Sequence, residues 1–185
     1  MGMKALAIDP SLTSTGWVLF DLQTGEAIEA GVIRTAPAKK TERLTVAEDM
    51  AMRGVHIRRG VGRVMLDHMP VVVVQEGNAG SRTAKVAAGL ARAQQACVDA
   101  VDTTLGGLPM IVTPQSVKKA AVGGVKATKG DMEQAAVRWC PSLPAVVAAT
   151  GLPKGQHEHM HDAACVMLSV WRLPSVASLR AMVAA

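Results

Sequence analysis

A chain of 185 residues, 49% of them hydrophobic, fits one domain with a substantial core. Aromatics are only 2% (one Phe, three Trp, no Tyr), so that core is aliphatic, and the net charge of +5 favours an anionic partner. The three cysteines, Cys97, Cys140 and Cys165, are odd in number, widely spaced and form no CxxC pair, which argues against a disulfide framework or a Cys-rich zinc site and fits a reducing cytoplasm. No apolar run is long enough to span a bilayer, and the first residues meet Lys4 before any signal-type apolar core.

Residues 3–9 read as a first strand. "STGWVLFDL" (14–22) reads as a second and "EAIEAGVIR" (26–34) as a third, joined by short links in an antiparallel meander. Residues 41–68 read as a helix capped by Thr41, with Gly54, Gly60 and Gly62 weakening its middle. "PVVVVQE" (70–76) is a strand whose four valines imply burial on both faces. Residues 81–102 read as an Ala-rich helix capped by Ser81, and 108–112 as a strand. Thr113-Pro114 then opens a further helix. "GGVKATKG" (123–130) reads as a loop, 131–139 as a helix, 142–156 as a loop, 158–172 as a helix, and 174–185 as a short helical tail. The order predicts an α/β domain: a mixed sheet flanked by helices, with residues 1–173 as the domain and 174–185 appended.

Two of the strands run through apolar residues and end on a carboxylate. Leu6-Ala7-Ile8 leads to Asp9, and the valine run leads to Glu76. A charge at that depth is costly unless paired, solvated or metal-bound. Asp9 could equally open the turn Asp9-Pro10-Ser11, and Glu76 could be a solvated strand end. In "HEHMHDAACVMLSVW" (157–171), His159 and Asp162 stand three apart and share one helix face. Together these side chains form an oxygen-rich donor set of the kind Mg²⁺ prefers. Two such ions about 3.5–4 Å apart can activate water and stabilise the leaving oxygen of a phosphodiester.

Four stretches carry a family resemblance: "AIDPSLTSTGW", "VVVVQEGNAGSRTAKVAAGLARAQQ", "TPQSVKKAAVGGVKATKGDMEQAAV" and "HMHDAACVML". In this order they resemble the RuvC-type Holliday-junction resolvases, over most of residues 3–170. The resemblance implies an RNase H-like five-stranded mixed sheet, and a homodimer that nicks four-way DNA junctions symmetrically with Mg²⁺ or Mn²⁺, two ions per site. Branch-migration helper proteins are possible partners. It implies that Asp9, Glu76 and Asp162 bind metal. His159 falls where many members carry Asp and some carry His. Lys118 and Lys129 match basic residues near the DNA backbone and the active site, and Arg82, Lys85 and Lys126 are further expected DNA contacts. The chain departs from the family at Gly77-Asn78-Ala79-Gly80, where members often carry an aromatic or bulky wedge after the central acid.

Other readings stay open at this point. The three alternating histidines could bind zinc, although His-x-His lacks the i, i+4 spacing of HExxH. Glu158 reads as a first-turn helix charge that could stand in for His159. The basic run Arg34 to Arg63 reads equally as a solvated helix face or as part of a DNA footprint. Rival functions are a YqgF-like nuclease on RNA or on flapped or single-stranded DNA, a non-catalytic DNA-binding module, and an actin-type ATPase. Against the last stands the absence of a second Asp-Gly-Gly phosphate loop.

Overall fold

The computed structural model describes residues 2–77 and 83–184. Five strands form one sheet in the order β3-β2-β1-β4-β5: β1 (Lys4–Asp9), β2 (Ser14–Asp21), β3 (Ala27–Arg34), β4 (Val72–Glu76) and β5 (Met110–Val112). The first three strands pair antiparallel as the meander expected from their short links, while β4 joins β1 in parallel and β5 joins β4 in parallel. The helices are α1 (Val46–His68), α2 (Ala84–Leu105), α3 (Pro114–Val122), α4 (Lys129–Trp139), α5 (Leu143–Ala149), α6 (Lys154–Val170) and α7 (Pro174–Ala184). No helix among the described residues is long and apolar enough to cross a membrane.

Strand periodicity assigns the two faces. On β1, Leu6 and Ile8 join Trp17, Leu19 and Val73 against Ile57, Val61 and Met65 of α1 and Ala93, Ala96 and Cys97 of α2. Ala5 and Ala7 face the other way, with Val18, Phe20, Val72 and Val74, against α6 residues Met160, Ala163, Ala164 and Met167. Small residues on β1 let α6 lie close to the sheet. Phe20, Trp139 and Trp171 meet in sequence, with ring centroids 5.2 and 5.4 Å apart. Val176 of α7 is buried in the same core, and the Arg180 guanidinium lies 4.2 Å from the Trp171 ring.

Several element boundaries differ from the expected ones for local reasons. The long helix starts at Val46, not near residue 41. Its cap is Thr45, whose hydroxyl accepts from Glu48 N while Glu48 accepts from Thr45 N, a reciprocal capping box. Thr41 belongs to a short 3-10 helix, Lys40–Glu42, which stops at Arg43 in a left-handed conformation. Gly54 leaves the helix intact because its missing side chain is used: a Cβ there would stand 2.5 Å from Arg92 Nε of α2. The cap of α2 is Thr83, and the expected cap Ser81 lies outside the described residues. The segment 142–156 is not a loop. It holds α5 and the first turn of α6. Pro144 lies in the first turn of α5, where its missing N–H is harmless, and Leu143 and Val147 are buried. The Ser142 hydroxyl accepts from Ala27 N at 3.0 Å and ties this end of α5 to β3.

Candidate active site

Asp9 follows the parity of Ala5 and Ala7, and Glu76 that of Val72 and Val74, so both acids leave the sheet toward the α6 face. Because β1 and β4 are parallel neighbours, with Ile8 beside Gln75, the two carboxylates emerge at the same edge. Gln94 of α2 holds this strand end from behind, its amide donating to Glu76 O at 3.3 Å. Helix α6 supplies the remaining groups, His159 and Asp162, from one face.

The close approach of α6 depends on Gly16, the β2 partner of Asp9. A Cβ at Gly16 would lie 2.1 Å from the His159 carbonyl oxygen, so any side chain would push α6 off the sheet. His159 Nδ1 then stands 3.9 Å from Asp9 Oδ2, with side chains only 19% and 15% exposed. That is an ion-pair separation, too long for a hydrogen bond.

The acids are crowded and short of positive charge. Burial raises Glu76 to about 8, aided by repulsion from Asp9 and Asp162 and opposed by Lys118. Burial raises Asp162 to about 7, with Asp9 and Glu158 adding to the shift and His159 and Lys129 opposing it. Burial also raises Asp9, against the pull of His159. The facing Asp9 raises His159 in turn, burial notwithstanding.

Glu76, Lys118, Thr128, Lys129 and Asp162 line one cleft of about 290 Å³. A second cleft of about 370 Å³ shares Lys129 and Asp162 and extends past Glu158 to His157 and His161. Lys129 is the first residue of α4, set there by the Thr128–Asp131 capping box. Its ammonium donates to Glu158 Oε2 at 2.6 Å.

Structure thus brings Asp9, Glu76, His159 and Asp162 to one edge, with Lys118 and Lys129 on the cleft wall. Lys85 is exposed in the first turn of α2 and Lys126 is exposed on the loop before α4, and neither lines these clefts. Arg82 and residues 78–81 lie outside the described residues. Glu158, read from sequence as a helix-terminal charge, is the partner of Lys129. Sequence separation of 29 residues left no signal for that pair.

The three histidines diverge. His157 Nε2 sits 2.8 Å from Leu152 O, His159 faces Asp9, and His161 Nδ1 lies 4.0 Å from Glu133. Among the described residues no group of three or more His, Cys, Asp or Glu side chains forms a ready-made metal cage. The donor chemistry of the edge nevertheless fits a hard divalent cation. Its carboxylates are buried, mutually repelling and undercompensated, and Mg²⁺ keeps several waters and needs few protein oxygens.

No protein-family model matches the chain, and no curated protein matches it in sequence. Solved structures do match its fold. The RuvC of T. thermophilus in complex with a Holliday junction substrate superposes with a TM-score of 0.66 at 20% identity, covering 98% of this chain and 97% of that one. A second Thermus thermophilus RuvC structure gives 0.65 at 20% identity over 90% and 92% of the two chains. The yeast mitochondrial Holliday junction resolvase Ydc2 gives 0.61 at 11% identity over 98% and 83%. Extensive coverage in both directions at TM-scores of 0.61 to 0.66 gives this chain, with its five-stranded mixed sheet, the RNase H-like fold of the RuvC Holliday junction resolvases.

Proposed function

We propose that the chain is a metal-dependent endonuclease that resolves four-way DNA junctions by paired phosphodiester hydrolysis. One observation carries this reading: parallel neighbouring strands and α6 bring three half-buried acids to one edge, and two of them, Glu76 and Asp162, line a cleft walled by Lys118 and Lys129. Its fold relatives include a resolvase bound to a Holliday junction, which supports the choice of substrate.

In this reading Asp9, Glu76, Asp162 and His159 hold Mg²⁺ or Mn²⁺, two ions per site. Bound there, the metal would supply activation of the attacking water and stabilisation of the charge on the leaving oxygen. Lys118 holds the phosphate against the cleft wall. Lys129 adds charge to the same phosphate once it leaves Glu158. Lys85, Lys126 and Arg82 contribute sequence-independent attraction to the DNA backbone. Residues 1–173 form the nuclease domain, with 174–185 as its tail. Two copies assemble through small-residue helix surfaces such as that of α2, so that two sites face opposite arms.

The test is cleavage of a labelled four-way junction in Mg²⁺ or Mn²⁺ by the wild type and by Asp9→Asn, beside duplex, flap, single-stranded and RNA substrates. Symmetric nicks in the junction, lost in Asp9→Asn while junction binding persists, are expected. Wild-type cleavage by Asp9→Asn would sink the metal-site reading, and preferential cleavage of RNA or flaps would replace the substrate.

A further inference from the structure

Arg53 sits in the basic run 34–63, yet it does not lie on a solvated face. Its side chain is only 11% exposed and it makes three directed contacts. Nη2 donates to Leu12 O at 3.0 Å, Nε donates to the Thr35 hydroxyl at 2.8 Å, and Nη1 faces Asp49 Oδ2 at 3.4 Å. The Thr35 hydroxyl also donates to Leu12 O.

Leu12 belongs to the turn that links Asp9 to Gly16. Every carbonyl from residue 11 to 13 is engaged. Ser11 O accepts from the Thr15 hydroxyl at 2.8 Å, Leu12 O accepts from Arg53 and Thr35, and Thr13 O accepts from Thr35 N at 3.0 Å. Arg53 supplies the charged anchor of that turn. Asp9 is the last residue of β1 and opens this turn, so the stiffness of the turn bears on where its carboxylate stands. The same device reaches outward. Asp49 Oδ1 accepts from Ala38 N at 2.8 Å, in the segment that carries exposed Lys39 and Arg43.

We infer that Arg53 is a positioning residue for Asp9, fixing the Asp9–Gly16 turn and tying it through Asp49 to the basic segment 36–45. The inference rests on Asp9 being a metal ligand. Only a fork-shaped guanidinium spans a carbonyl, a hydroxyl and a carboxylate together, so Lys cannot replace it.

Calorimetric titration of the full-length, DNA-free protein with Mn²⁺, well below its melting temperature, provides the test. Junction affinity and single-turnover cleavage are measured alongside. Arg53→Lys is expected to raise the Mn²⁺ concentration for half-saturation by at least about threefold. That is below the 10–100-fold cost of losing a partner bonded directly to a ligand. Cleavage should fall while metal-free junction affinity holds. Thr35→Val should shift Mn²⁺ affinity in the same direction, and it decides the matter if Arg53→Lys fails to fold. Unchanged Mn²⁺ affinity and cleavage, with only a lower melting temperature, would make Arg53 purely structural and overturn the inference. So would a loss of junction affinity at constant Mn²⁺ affinity. Failure of the wild type itself to bind Mn²⁺ would instead remove Asp9 as a ligand, a result visible before any Arg53 variant is compared.

Discussion

Asp49 of α1 and the acids Asp9, Glu76 and Asp162 are all half-buried, and they are treated oppositely. Asp49, 18% exposed, accepts from Ala38 N and faces the Arg53 guanidinium. Asp9, 15% exposed, faces only an imidazole 3.9 Å away. Among the described residues no hydrogen bond reaches the carboxylates of Glu76 or Asp162. A buried charge that meets its counter-charge within the fold serves structure. Three that are left short of one are what the proposed cation site would need. This difference sets the expectations below.

The largest effect belongs to Asp162→Asn. With Asp162 as a ligand of the proposed site, its loss should remove several kcal/mol of transition-state stabilisation, cutting junction cleavage about 10³-fold or more in either Mg²⁺ or Mn²⁺. Junction affinity by gel shift should stay within about twofold, since phosphate contacts dominate it. Cleavage within tenfold of wild type would break the contrast with Asp49 at its functional end.

Next comes the pH response of the metal-free protein. Glu76 titrates near 8 and Asp162 near 7 in the fold, above their ordinary values of 4.5 and 3.8. The folded state therefore holds more protons than the unfolded chain across that range, and these two groups cost stability as pH rises from about 4 to 8. Melting temperature without metal should fall over this window. Added Mg²⁺ should restore it most at the alkaline end. A flat profile would show that the acids are compensated internally after all.

Paired substitutions sharpen the same point. In metal-free protein at pH 8, Glu76→Gln should raise the melting temperature by roughly 3–6 °C and abolish its response to Mg²⁺. Asp49→Asn should lower it by a similar amount, because Arg53 is left buried without its carboxylate, and should keep the Mg²⁺ response. Equal signs for the two variants would erase the distinction between the two regions.

The smallest effect is expected at Lys129. Its pair with Glu158 is exposed, 78% and 36% by side chain, so Lys129→Ala should leave the melting temperature nearly unchanged. Turnover at saturating junction should fall about tenfold, with affinity altered about twofold, if the lysine acts on the phosphate. Equal losses in affinity and turnover would assign Lys129 to general DNA attraction.

Much of the sheet was legible because it rests on short-range pattern. A period of two along β1 and β4 fixes which face each residue meets, and apolar runs ending in Asp9 and Glu76 mark where the strands surface. Spacing of three puts His159 and Asp162 on one helix face by helical geometry alone. Short links between β1, β2 and β3 require antiparallel pairing. Helix α5 escaped because its seven residues carry too little periodicity and its proline reads as a breaker. The onset of α1 was misplaced because two Thr residues compete as caps, and only Thr45 has Glu at the third position after it.

From its order of residues alone, then, this protein's meander, its doubly buried valine strand, its two strand-end acids and the His159–Asp162 face could be derived, since each depends on neighbours a few positions away. Tertiary structure alone decided that Gly16 admits the His159 backbone, that Lys129 is held by Glu158, and that Arg53 is buried under the Asp9 turn rather than displayed to solvent. Those contacts join residues far apart in the chain, and their energy depends on distance and burial, which no local pattern of residue types encodes.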